Sequence, residues 1–314
     1  MKTQRIPQSK HGFTLMELMV AMAITTIIVT VLVSITSIAM DTWNRSRAEL
    51  RAARQAKSMV DTMARDFEAL ITRRGNDFEW LSAESPDTLA GENLKSTNAS
   101  NLIFFSGSTE RYNGDIGGKD DNGGDVSCIG YSLIYADPFK EKGKDFPTFI
   151  LKRKLVNPDD TFNDLLGKGE KNKEGLLKTA FDSKYSSELD KIENFVCENV
   201  FQFTVTFMVE VTQVTGTTTK TLTVPVTIGQ SASGQVTKSL TIKGTGLFTT
   251  ATPSSVSSEE LKAGRVKAME INLTVLSDPG VDQVRKGAFN KSKVEEFMMK
   301  NSFQYTKLIQ LPSM

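Results

Sequence analysis

The sequence predicts an α+β chain: one long N-terminal helix, transmembrane and then amphipathic, packed on an antiparallel β-sheet head. Three observations predict it. An apolar run, Phe13 to Met40, holds 28 residues with Glu17 as its one charge. A stretch without Gly or Pro follows as far as Gly75, its apolar residues recurring at three- and four-residue steps. Beyond Gly75 the pattern turns to short β-rich runs divided by turn-rich linkers.

The apolar run spans ~42 Å as a helix at ~1.5 Å per residue. That is more than a bilayer crossing needs, and longer than the apolar core of a secretory signal. Before it stand Lys2, Arg5, Lys10 and His11 with no acid. A basic flank of this kind puts the N-terminus on the cytoplasmic side. A carboxylate such as Glu17 costs ~2.5–3.5 kcal/mol at a bilayer centre, so it calls for a reason.

From Trp43 to Arg74, Leu50, Met59, Val60, Met63, Phe67, Leu70 and Ile71 form a stripe. Arg45, Arg47, Arg51, Arg54, Asp61, Arg65 and Asp66 fill the other faces. This is an amphipathic helix whose stripe packs on something. Its arginines read as a solvated or inter-subunit face rather than a nucleic-acid patch.

In the head, Asn101–Ser106, Ser127–Ala136, Phe149–Val156, Asn199–Val211, Lys220–Ile228, Gln235–Lys243 and Val266–Leu276 read as strands. Alternation is clearest over Gln202–Val211 and Glu270–Leu276, the mark of a half-buried antiparallel sheet. A short helix is expected over Ser292–Lys300.

The composition weakens most enzyme classes. Lys+Arg is 38 and Asp+Glu 37, so bulk charge gives no argument for nucleic acid. His11 is the only histidine, which removes imidazole acid–base chemistry and the usual imidazole metal sites from a chain cut after Gly12. No glycine-rich loop follows a strand and opens a helix, so a nucleotide site is unsupported. An anchored enzyme stays the weakest reading.

"KHGFTLMELMVAM" resembles the prepilin signal of type IV pilins and type II secretion pseudopilins: a basic residue, Gly, then Phe-Thr-Leu-x-Glu and an apolar stretch. The resemblance implies a pilin-like fold and a leader over residues 1–12. Prepilin peptidase would cut between Gly12 and Phe13 and N-methylate Phe13. Glu17 would pair with the new Phe13 amine of a neighbouring subunit, so that neither charge is buried alone. Residues 13–40 would form the filament-core half of the helix, 41–74 the amphipathic half and 75–314 the head. Implied partners are other pilins or pseudopilins, prepilin peptidase and the inner-membrane assembly platform. The chain would sit as a single pass in the bacterial inner membrane, head periplasmic, before entering a filament.

The head is similar in parts to minor pseudopilin J, through "GYSLIY", "ILKRKL", "ENVFQFTVTF", "GRVKAMEINLTVL" and "LIQLP" in that order. It departs by length, with apparent insertions near 156–194 and 214–264. The function expected is a structural minor pseudopilin of a type II secretion pseudopilus or type IV pilus-like filament, not an enzyme. The alternative is a minor pilin acting as adhesin or DNA-uptake subunit.

Two further features carry chemistry. Cys128 and Cys197 would lie in an oxidising compartment. A disulfide there would close a loop of about 70 residues, worth roughly 4 kcal/mol in the chain-entropy model; the other reading is two separate buried thiols. "GDIGGKDDNGGD" gathers Asp115, Asp120, Asp121, Asn122 and Asp125 among glycines. Such oxygens suit Ca²⁺, but the spacing misses the Asp-x-Asp-x-Asp-Gly loop, so a solvated turn is favoured and no cofactor is expected.

Overall fold

A computed structural model describes residues 14–75, 77–86, 90–107, 125–137, 146–166, 177–189, 191–215, 218–231 and 234–311. Gly12, Phe13, Asp115, Asp120, Asp121 and Asn122 lie outside them. The chain divides into two compact units, 1–50 and 51–314.

Helix α1 (Leu15–Glu68) begins in the first unit and ends in the second. In the first unit its apolar side chains from Leu15 to Met40 are all exposed. Five hydroxyls in that stretch, and Thr42 just beyond it, are satisfied within the helix. Thr25, Thr26, Thr30, Ser34, Thr36 and Thr42 each donate to the carbonyl four residues earlier, at 2.8–2.9 Å. Back-bonding of this kind pairs these hydroxyls without help from water. Among the described residues α1 is the one helix long and apolar enough to cross a membrane.

The second unit holds two antiparallel sheets. Seven strands form the larger: β1 (Glu79–Glu84), β2 (Asn101–Ser106), β3 (Ser127–Ala136), β4 (Thr148–Val156), β5 (Phe195–Glu198), β10 (Ser239–Lys243) and β11 (Gly246–Thr249), in the order β11-β10-β1-β2-β3-β4-β5. The smaller has the order β13-β12-β6-β7, from β6 (Val200–Thr215), β7 (Thr218–Thr227), β12 (Arg265–Leu276) and β13 (Ser302–Gln310). A two-stranded ribbon pairs β8 (Gly229–Gln230) with β9 (Val236–Thr237). Pro225 is tolerated in β7 because that strand is an edge of its sheet.

The chain passes from the larger sheet to the smaller at Asn199, the one described non-glycine residue with positive φ (63°). Asn tolerates this left-handed conformation better than most residues. Its side chain is fixed on both ends: the Thr148 hydroxyl donates to Oδ1 (2.7 Å) and Nδ2 donates to Asp278 (2.9 Å).

Between the sheets and the docked part of α1 lies the main core. Phe203, Val205, Phe207, Val209 and Val211 of β6 point into it at alternate positions. They face Leu273, Ile271 and Met269 of β12, until a bulge at Lys267 shifts the phase. From α1, Ala52, Ala56, Met59, Val60, Met63, Ala64 and Phe67 enter the same core. The Phe67 ring stacks on Phe104 at 4.0 Å. The expected stripe therefore needs amending. Leu50 is exposed, and alanines 52 and 56 take the first buried turns. Moreover α1 ends at Glu68 rather than near 74, and Leu70 already bridges to Ser106.

On the far face of the larger sheet lies a second core, built by α3 (Leu177–Leu189). Leu177, Phe181 and Tyr185 recur every four residues and meet Trp80, Phe105, Cys128 and Val156. Gly130 permits the approach, since a Cβ there would stand 2.5 Å from the Phe181 ring. A short α2 (Pro158–Thr161) and a π-helical turn (Phe162–Leu166) follow β4. The remaining helices are α4 (Ser258–Lys262), α5 (Asp278–Lys286) and α6 (Val294–Asn301). Helix α4 opens on a reciprocal cap between Ser257 and Glu260.

Candidate functional site

At the start of α1, Thr14 and Glu17 form the reciprocal cap that a Thr-x-x-Glu sequence favours. The Thr14 N–H donates to Glu17 Oε2 (2.9 Å), as does the Thr14 hydroxyl (3.0 Å). The Glu17 N–H donates back to the Thr14 hydroxyl oxygen (3.3 Å). One acid thus satisfies an orphan donor of the helix end and sits where the helix dipole favours negative charge. The sequence carried this signal in "TLME", which the reading of Glu17 as an assembly residue passed over. Both contacts fall on Oε2. A carboxylate has about four lone-pair sites, so capacity remains for a further cation.

Within the second unit a buried ionic cluster fastens the last turns of α1 to the larger sheet. Asp66 is 2% exposed and receives Arg153 in a fork: Nε to Oδ2 at 2.7 Å and Nη2 to Oδ1 at 2.8 Å. The Tyr131 hydroxyl donates to Oδ2 at 2.5 Å, and Ser106 donates to the Asp66 carbonyl at 2.9 Å. Burial, and next the Asp66 charge, hold the Tyr131 hydroxyl well above its ordinary pKa, so it stays a donor. Asp66 does not populate an outer face. It lies three residues after Met63 and seven after Met59, on the buried stripe itself. Arg153 shares the inward parity of Phe149 and Leu151. More exposed ties flank the cluster: Arg51 to Asp278 (2.5 Å), Gln55 to Glu198 (3.0 Å) and Lys307 to Asp61 (2.6 Å).

The expected Cys128–Cys197 disulfide is not formed; both thiols are buried and free. Register explains why. Cys128 pairs with Val156 and Cys197 with Leu151, on opposite sides of β4 in sheet order. Two strand spacings and five residues of rise put them on the order of 19 Å apart, against the ~4.4–6.8 Å between Cα atoms that a disulfide needs. They also belong to different cores. Burial pushes both thiols up, Cys197 to about 12 with help from the Glu198 charge.

Of the calcium candidates only Asp125 is described, and it is exposed. Among the described residues no group of three or more His, Cys, Asp or Glu could hold a metal ion.

An exposed apolar helix with a capped acid in its first turn, continuing into a β-rich head, is a layout with one candidate membrane anchor near the N-terminus among the described residues. Residues 7–33 match the family model of the prokaryotic N-terminal methylation motif, so the chain carries the signal of type IV pilins and pseudopilins. That motif belongs to structural rather than catalytic proteins, and it implies association with other pilins and processing by a peptidase. Neither a curated protein nor a solved structure matches the chain.

Proposed function

We propose that the chain is a structural minor pseudopilin. Prepilin peptidase cuts between Gly12 and Phe13, Phe13 is N-methylated, and the assembly platform of the inner membrane draws the subunit into a pseudopilus or type IV pilus-like filament. The observation that carries this reading is Glu17, the one acid between Thr14 and Met40, inside a matched methylation motif and on a stretch of helix, Leu15 to Met40, whose apolar side chains are all exposed. Cleavage creates an amine at Phe13. In lipid that cation and the Glu17 carboxylate are each costly alone. Paired between neighbouring subunits they compensate each other, and the pairing sets the axial register of helix on helix. The exposed apolar face then exchanges lipid for like helices, a change that needs close packing rather than hydrophobic transfer.

Two roles of Glu17, cap and intersubunit partner, are separable. Thr14→Val removes the hydroxyl of the cap and keeps the carboxylate. Glu17→Val removes both roles. The proposal expects both variants to be processed and inserted, with only Glu17→Val absent from cross-linked filaments. Equal incorporation of Glu17→Val and wild type would refute the register role. Equal failure of the two variants would reduce Glu17 to a helix cap.

A further inference from the structure

The head carries a basic cleft that the filament reading leaves unused. It has a volume of about 240 Å³ and lies where three segments meet: residues 72–74 after α1, the β10–β11 hairpin, and the turn from α4 into β12. Five cations line it, Arg73, Arg74, Lys243, Lys262 and Arg265, and among the described lining residues there is no carboxylate. Lys243 is paired with Glu79, 3.7 Å away, buried and outside the lining. Lys243 and Lys262 also converge on one ring, with their Nζ atoms 5.5 and 5.0 Å from the centre of Phe248.

The backbone is shaped to bring these charges together. Gly75 N–H donates to the Gly244 carbonyl (3.1 Å), and Gly244 N–H to the Phe78 carbonyl (3.2 Å), which pins the hairpin to the segment after α1. Gly246 has φ +135°, and a Cβ there would lie 2.4 Å from the Lys262 carbonyl oxygen. At Gly264 a Cβ would lie 2.7 Å from Val209 and 2.9 Å from the Leu261 carbonyl oxygen. Only glycine lets the hairpin and the α4 turn approach this closely. A cluster of cations held by a fixed backbone raises the local positive potential and favours an anion among them.

We propose that this cleft binds a soluble anion bearing two or more phosphoryl groups. The planar guanidinium forks of Arg73 and Arg265 suit phosphoryl oxygens two at a time, and the ammonium groups of Lys262 and Lys243 supply point charge beside them. The proposal stands on the head alone and does not depend on the filament role.

Isothermal titration of the full chain in zwitterionic detergent tests it, with sodium tripolyphosphate as probe and citrate as the carboxylate control. The expected result is one tripolyphosphate per chain, weaker as salt rises, and citrate at least tenfold weaker. Arg73→Gln with Arg265→Gln should lower tripolyphosphate affinity at least tenfold. Lys220→Gln with Lys291→Gln, both exposed and outside the cleft, should leave it unchanged. Thr245→Glu, which sets a carboxylate on the cleft wall, should abolish binding by a route that spares the arginines; thermal melting confirms that each variant is folded. Absence of tripolyphosphate binding, or equal loss in the Lys220/Lys291 control, would overturn the site. Equal affinity for citrate would overturn the phosphoryl assignment.

Discussion

Helix α1 is one continuous element whose two stretches meet apolar surface in opposite ways. From Leu15 to Leu50 its large apolar residues are exposed; from Arg51 to Glu68 the apolar stripe is buried. Polar groups follow the same division. In the first stretch hydroxyls turn back onto carbonyls of the same helix, a solution that needs no neighbour. In the second, Asp66 is buried only because Arg153 and Tyr131 reach it from two strands. One stretch is complete only in a medium or an assembly outside the chain, and the other is complete within the head.

The largest effects should come from the second stretch. Arg153→Met leaves the Asp66 charge buried without its cation and should cost ~3–5 kcal/mol of head stability. Chemical denaturation of the full chain in detergent measures it. Adding Asp66→Leu to that variant should restore most of the loss, because an apolar pair replaces the ionic one. No recovery would show that the cluster is needed for specific packing rather than for charge balance. Phe67→Ala, which empties the stack on Phe104, should cost a similar ~3–5 kcal/mol.

Next in size, Ala56→Leu overfills the buried stripe and should cost ~1–3 kcal/mol, whereas Ala23→Leu should leave head stability unchanged. If the two alanines behave alike, the contrast between the stretches fails. In the first stretch, Ile28→Lys should cost ~2.5–3.5 kcal/mol of membrane insertion, read as the fraction of chain resisting carbonate extraction, with no change in the melting of the head. The smallest effect is expected at Arg51→Ala, where a half-exposed ion pair contributes only ~0–1 kcal/mol. Alkylation gives a further check on the head. Cys128 and Cys197 should resist iodoacetamide while folded and both react on unfolding without reductant; a mass two hydrogen atoms lighter before unfolding would reinstate a bridge.

Much of this was legible in the sequence where one force dominates. Strands β2 and β3 fall where their unbroken β-rich runs put them, since both faces of the larger sheet are covered. Alternation in β6 was equally plain. Other elements hid because their signals are shared with neighbours. β1, "EWLSAE", is short and acid-ended yet almost wholly buried, because β10 and β2 pair with its two edges and a core lies on each face, with Leu81 and Ala83 in one and Trp80 in the other. β13 alternates Phe303, Tyr305, Lys307 and Ile309, but Lys307 interrupts the apolar series to reach Asp61. Helix α3 carried Leu177, Phe181 and Tyr185 at helical spacing, inside a stretch read only as an insertion.

Site residues divide in the same way. Glu17 stands out because an acid in an apolar run is costly, yet its role as a helix cap, equally written in "TLME", was missed. Asp66 does not stand out, because an acid on a helix already rich in charge reads as solvated unless its phase is checked against the stripe. The basic cleft was beyond reach, since its cations come from residues 73–74, 243, 262 and 265 and meet only through glycine-dependent turns.

The division of α1 into an outward-facing and a self-contained stretch rests on the first stretch being retained after processing. Intact-mass and N-terminal peptide analysis of the chain purified from its native membrane tests that most directly. The account predicts a chain that begins at N-methylated Phe13 and keeps Glu17 and the whole apolar run. A chain still bearing residues 1–12, or one cut beyond Met40, would contradict it.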